Sequence, residues 1–353
     1  MGISHMKLLR IQASSYTLLL RIALMVGFAG WLTLPAAYAQ VTVKVASMVP
    51  DQSAWRDILQ EGFSKWNKLS GGKVRVQPPY WGTQGDDPDM VRKMRLGSLD
   101  AAVLTSVGLA EIDKSVYALS VPMMYTDYDE VYAVLEKMRP RLESTMESKG
   151  FVILNWMDGG WLHFFTKKPV ATPDDLKKLV LFQWQGDPKS MAIWTTAGFK
   201  PREGGTADLV TGLQTGMYEA FTSSAQIAVI MRYFEQAKNM TDLNWALVMG
   251  GTVIRKAVWD KIPAEIKPEL LKVEQETGKK LQDAIRQGGI TDVQSMKARG
   301  LNVVSVDKKT YDQWTATVEK ADSKIRGDFA PADAYDEALK YRDEYRNQKA
   351  VKK

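Results

Sequence analysis

No cysteine occurs anywhere in the 353 residues, and only two histidines do. Disulfide bridges, thiolate metal sites and cysteine nucleophiles are excluded, and a site that needs two histidines is excluded with them once His5 is set aside in the N-terminal segment. The remaining histidine, His163, lies in the alternating aromatic run Trp161-Leu162-His163-Phe164-Phe165 and reads as a strand-face residue. Also absent are a Gly-x-Ser-x-Gly elbow, a phosphate-cradling Gly-x4-Gly-Lys-Ser/Thr loop and a Gly-x-Gly-x-x-Gly after a strand. No dense Lys/Arg block precedes the Lys352-Lys353 end, which gives a nucleic-acid role little support. Past residue 40 no apolar run is long enough to span a bilayer.

What is present begins with a leader. Lys7, Arg10 and Arg21 precede an apolar run from Ile22 to Leu34, and Ala37-Tyr38-Ala39 supplies small residues at a cleavage site after Ala39. This pattern is a secretory signal peptide, so the expected location is the periplasm. Removing it leaves 44 basic against 41 acidic residues and lowers the formal charge from +6 to +3. Hydrophobic residues at 45% and charged residues at 25% are ordinary globular values, and the length suits two lobes better than one core.

Along the mature chain the order is strand, helix, strand, helix, strand. Val41–Ala46 alternates, Ser53–Leu69 carries Trp55, Leu59, Phe63 and Trp66 at helical spacing behind the N-cap Ser53, and Val74–Gln77, Asp89–Leu96 and Leu99–Leu104 follow. Such alternation predicts a parallel, helix-covered sheet. Asp86-Asp87-Pro88-Asp89 reads as the start of a helix rather than a calcium site. The pattern restarts after Gly150, with strands at Phe151–Trp156, Leu162–Thr166 and Leu179–Trp184 and helices at Pro188–Thr196 and Ala207–Gly216, so a second α/β unit is expected between about Gly160 and Gly250. Long helices are expected at Pro263–Arg286 and Tyr311–Ile325.

Several segments recur in one family's order. Thr172–Gln185, TPDDLKKLVLFQWQ, resembles T-P-E-D-L-K-G-L-K-I-R; MRLGSLDAAV at 94–103, LSVPMM at 119–124, Gly160–Lys168 and LVTGLQTGMYEAFTSS at 209–224 resemble further motifs of it. The chain is thus similar, over about Val41 to Lys340, to the solute receptors of TRAP transporters (tripartite ATP-independent periplasmic transporters), the DctP family. The resemblance implies a two-lobed periplasmic-binding-protein-like α/β fold, each lobe a helix-covered sheet, with hinge strands and long C-terminal helices. The expected division is residues 41–160 with about 249–288 in lobe I, about 161–248 with about 289–316 in lobe II, and a helical tail over 317–353. It also implies a small-molecule solute, a partner permease of small and large membrane subunits, no enzyme activity and no cofactor or metal.

The departures cluster where the family usually meets its ligand. Phe182 stands at the main arginine, Leu162 at a second, Thr206 at a frequent phenylalanine and Ser223 at the asparagine of the last motif. A carboxylate brought into such a cleft without a cation loses several kcal/mol of solvation, so a small, uncharged, aromatic or hydrophobic solute is expected. Flat walls would come from Phe182, Trp184, Trp161 and Trp81, with Trp156 nearby, and neutral polar contacts from Gln84, Thr105, Thr206, Ser223 and Ser224, with Gln183 and Ser106 alongside. The alternatives are an organic-acid receptor with a relocated cation, for which Arg92, Arg95 and Arg202 are candidates, an exported cleft enzyme using carboxylates alone, and a receptor that feeds a sensor.

Overall fold

The structure, a computed structural model, describes residues 40–351; the expected leader, residues 1–39, lies outside them. Strand β1 (Val41–Val43) and strand β2 (Val45–Ser47) divide the expected strand Val41–Ala46 in two. The break is at Lys44, whose amide donates to Asp100 Oδ2 at 3.0 Å and whose carbonyl accepts from the Asp100 and Ala101 amides. Strand β1 consequently pairs only with β3 (Val74–Val76), while β2 enters the main sheet.

Five strands form the first sheet, in the order β4 (Tyr80–Trp81), β2, β5 (Ala101–Thr105), β12 (Leu247–Arg255) and β6 (Phe151–Trp161). The β4-β2-β5 part is parallel, as expected, but β12 runs against both β5 and β6, so the sheet is mixed. The reason is topological: β12 is the strand by which the chain returns from the second sheet. That sheet has six strands, β13 (Asn302–Val304), β11 (Asn239–Thr241), β7 (His163–Thr166), β10 (Ala220–Ser223), β8 (Val180–Trp184) and β9 (Lys200–Gly204). The chain crosses between sheets at Leu162, between β11 and β12, and along the helix Lys267–Ala298.

Strand residues alternate between two cores. Along β5, Ala101 and Val103 join a cluster with Leu59, Phe63, Trp66, Leu270 and Leu281, whereas Ala102 and Leu104 face another with Met90, Leu109 and Val131. Burial on both faces explains why these strands read as unbroken apolar runs. The second sheet repeats the arrangement: Phe164 and Leu181 face the shared cluster, Phe165, Phe182 and Phe221 a separate one. Trp194, Trp245 and Trp314 gather on the first of these faces, with Trp194 stacked on Trp245 at 4.8 Å, so these three are packing residues.

Helix starts follow their caps. Ser53 accepts from the Arg56 amide at 3.2 Å and opens the helix Ala54–Leu69, and Thr172 and Asp175 form a reciprocal capping box before the short helix Pro173–Leu176. The long helix spans Lys267–Ala298 rather than 263–286, and the expected helix 311–325 is two, Lys308–Glu319 and Asp322–Ile325. A helix at Tyr128–Ser148 has no counterpart among the expected elements; the C-terminal helix Ala332–Val351 lies against it, with Arg141 bonded to Glu337 at 2.7 Å and Arg346 to Glu130.

Candidate functional site

Phe182 is core, not wall. Only 1% of it is exposed, and Trp184 and Tyr218 approach its ring edge to face at 4.7 and 4.9 Å. Its place on β8 decides this: Leu181 and Gln183 turn to one face and Phe182 to the other, beneath Leu209 and Leu213 of the helix Asp208–Thr215. A guanidinium can reach past such packing on a long stem; a phenyl ring stays inside it. Leu162, at the second arginine position, is half-buried against the shared cluster.

The other expected contacts divide among several places. Trp184 is half-buried beside Phe182, and Trp81 is half-buried with the Arg56 guanidinium 5.9 Å from its ring. Gln84 accepts from Lys93 Nζ through both its carbonyl and its side chain. Gln183 Oε1 accepts from Trp194 Nε1 at 2.7 Å, and the Ser223 hydroxyl donates to the Ser224 carbonyl at 3.1 Å. Trp156 Nε1 donates to Glu143 at 3.0 Å, which makes it structural. Of the proposed replacement cations, Arg92 pairs with Asp89, Arg95 donates to the Glu111 carbonyl, and Arg202 donates to the Met217 carbonyl on the surface.

Loops of the two sheets meet along an acidic seam. Thr206 donates to Asp86 at 3.2 Å, the Tyr117 hydroxyl donates to Asp187 at 3.5 Å, and a Cβ at Gly186 would stand 3.3 Å from the Pro88 ring. Beside them Asp87 is buried: its Oδ2 accepts from the Thr105 amide and hydroxyl and from the Gly108 amide, and its Oδ1 has no partner. Burial pushes its carboxyl up to about 6 against the pull of those three donors. Thr105 in turn caps the helix Ser106–Ile112. This corner is therefore both a structural joint and a polar wall.

A cavity of about 180 Å³ opens where β6 ends and the chain crosses. It brings together Trp161 and Ser224 from the expected set, adds His163, and adds three residues that the sequence did not single out: Tyr128, Gln226 and Arg286. The Arg286 guanidinium lies 4.8 Å from the Tyr128 ring and 5.0 Å from that of Tyr132, and Trp161 sits 5.7 Å from Tyr128. Asp158 is held nearby by the Tyr132 hydroxyl at 2.7 Å and the Gly160 amide at 3.1 Å; burial raises its pKa. His163 Nδ1 lies 3.0 Å from the Leu243 carbonyl, and burial lowers its pKa, favouring the neutral ring. The one sequence signal for this place was the Gly288-Gly289 pair following Arg286 in an otherwise helical run. No cluster of three or more metal-ligating side chains occurs among the described residues, and no helix among them is long and apolar enough to cross a membrane.

Comparison with known proteins places this architecture. A profile described as bacterial extracellular solute-binding protein, family 7 (DctP), matches residues 45–326. A solute-binding protein of Verminephrobacter eiseniae is 24% identical over 279 residues, covering 78% of this chain and 83% of that protein. The C4-dicarboxylate-binding periplasmic protein DctP of Rhodobacter capsulatus is 23% identical over 287 residues, covering 76% and 84%. Among solved structures, a TRAP periplasmic solute-binding protein of Ralstonia eutropha H16 with bound (S)-2-acetolactate superposes with a TM-score of 0.80 at 18% identity, over 86% of this chain and 99% of that one. The chain belongs to the DctP family of bacterial extracellular solute-binding proteins, the two-lobed receptors of TRAP transporters, and is a transport protein rather than an enzyme.

Proposed function

We propose that this chain is exported to the periplasm, closes two lobes around one small solute and presents the closed form to a permease of small and large membrane subunits. The lobes in this reading are residues 41–160 with about 249–288 and about 161–248 with about 289–316, the helices over 317–353 forming a tail. The observation that carries the reading is the cavity beside the crossing strands, where Trp161 and Ser224 meet Tyr128 and Gln226. Aromatic faces with a few convergent polar groups are the usual make-up of a small-molecule site. Trp161 and Ser224 are its contacts in this proposal; Trp81, Gln84, Trp184, Thr105, Thr206 and Ser223 border the crevice that closes beside it.

Two readings of the solute's charge have support. An uncharged, ring-bearing or apolar solute is favoured by Leu162 and Phe182, which put hydrocarbon at two arginine positions, and by a seam whose charges are acidic. An organic acid is favoured by Arg286, a cation at the cavity itself, and agrees with the acids bound by the two relatives named above for their ligands. Simple dicarboxylates fit neither well, since one guanidinium leaves a second carboxylate unpaired.

The test is mass spectrometry of small molecules released when the purified protein is denatured, together with tryptophan fluorescence titrations against neutral aromatics, monocarboxylates and dicarboxylates. One retained solute in equimolar amount, or a saturable response to one class, is the expected result. A protein that retains nothing and responds to none of the three classes is not a solute receptor of this kind.

A further inference from the structure

Arg286 lines the cavity and is held there by ring contacts. Among the described residues no carboxylate lies within ion-pairing distance of it, although 26 such pairs are formed elsewhere in the fold. Its Nε is buried without a hydrogen-bond partner, and so is Oε1 of the adjoining Gln226. Unsatisfied buried polar atoms are uncommon in folded proteins and call for an explanation. Both residues line the cavity.

The nearest internal anion does not supply that explanation. Asp158 acts on Arg286 through its charge but forms no ion pair with it; its oxygens accept from the Tyr132 hydroxyl and the Gly160 amide. Nor do the two tyrosines, which meet Arg286 through ring contacts at 4.8 and 5.0 Å. Cation–π contact engages the flat side of a guanidinium and orients it. It leaves the N–H edge, the part that matches a planar two-oxygen acceptor, free to bond.

We propose that Arg286 is the anchor for a carboxylate, and that the cargo is a small organic acid with one carboxylate whose body rests against Trp161 and Tyr128. The cavity, with room for about six waters, sets the scale of that body. The inference rests on the organic-acid reading of the proposed receptor and names its cation. The family's two arginine positions have become apolar packing, and the positive charge has moved to the long helix Lys267–Ala298.

The experiment reads the site without needing lobe closure. Acetate, as a bare carboxylate, is titrated into the full mature chain while the Arg286 side-chain Nε resonance is followed, with acetamide as the neutral control; benzoate and benzamide are compared in parallel by calorimetry. The expected result is a saturable shift of the Arg286 resonance with acetate and none with acetamide. Benzoate should bind more tightly than benzamide, and Arg286→Gln should weaken benzoate at least 30-fold while leaving benzamide unchanged. Arg286→Lys keeps the charge and the ring contacts but loses the two-pronged edge, so it should fold as wild type and lose affinity by several-fold only. Absence of a saturable acetate shift, or benzoate binding that survives Arg286→Gln, overturns the proposal. Acetate binding at Arg286 in a protein that retains no solute would instead leave the anchor standing and remove the receptor reading.

Discussion

Glu274 is fully enclosed in the long helix, where its two oxygens accept from Trp66 Nε1 at 2.8 Å and Asn155 Nδ2 at 3.0 Å. Burial raises its carboxyl from 4.5 to about 7, and the two donors only partly oppose the shift. A carboxyl with a raised folded-state pKa binds its proton more tightly when folded. Its stabilising contribution is therefore complete below about 4.5 and is lost as the pH rises through about 7. Asp87, raised to about 6, slopes the same way, so the difference between wild type and Glu274→Gln isolates the one group. Urea unfolding from pH 5 to pH 8 should show Glu274→Gln gaining on wild type as the pH rises; parallel curves would refute the assignment. Nothing in the local sequence marks Glu274, because its partners are 208 and 119 residues away. Phe182 shows the complementary limit. The motif identified the position, and strand alternation alone, without the sheet, could not say which face it served.

At the scale of elements, the long helix Lys267–Ala298 packs closely against the helix Ala54–Leu69 because Gly62 has no side chain, and against β6 because Gly278 has none. A Cβ at Gly62 would lie 2.5 Å from Thr277 Oγ1, and one at Gly278 would lie 3.1 Å from the Trp156 carbonyl oxygen. Thr277 cannot easily swing away, since its hydroxyl donates to the Val273 carbonyl at 2.8 Å. Alanine gains up to about 1 kcal/mol of helix propensity over glycine, but overpacking costs about 1–3 kcal/mol. Gly62→Ala should therefore lose about 1–2 kcal/mol in urea unfolding, and Thr277→Ala added to it should recover more than half. Independent, additive losses would mean that the crossing is not where the two residues meet. The helix start at Ser53 was legible because capping is local chemistry. The split of Val41–Ser47 and the antiparallel entry of β12 were not, because both depend on which distant strand is available to pair.

For the molecule as a whole, the proposed closure of two lobes would draw on the polar contacts at the seam. Thr206 to Asp86 is the shorter of the two side-chain bonds found there, and Tyr117 to Asp187, at 3.5 Å, is at the limit of bonding distance. A hydrogen bond of this kind is worth about 0.5–1.5 kcal/mol. Its loss shifts an open–closed equilibrium by about two- to tenfold. Thr206→Val keeps the shape and removes the donor, so it should raise the open fraction of the ligand-free protein by that factor without altering global stability. The absence of native cysteine makes the measurement clean: dyes on Lys68→Cys and Lys200→Cys report on the distance between the lobes with no competing thiol. Single-molecule energy transfer should show a larger long-distance population in the Thr206→Val background and a faster decay of the closed state. Identical distributions in the two backgrounds would mean that the Thr206–Asp86 bond does not bias the ligand-free equilibrium, which the crossing beside Leu162 then sets without it.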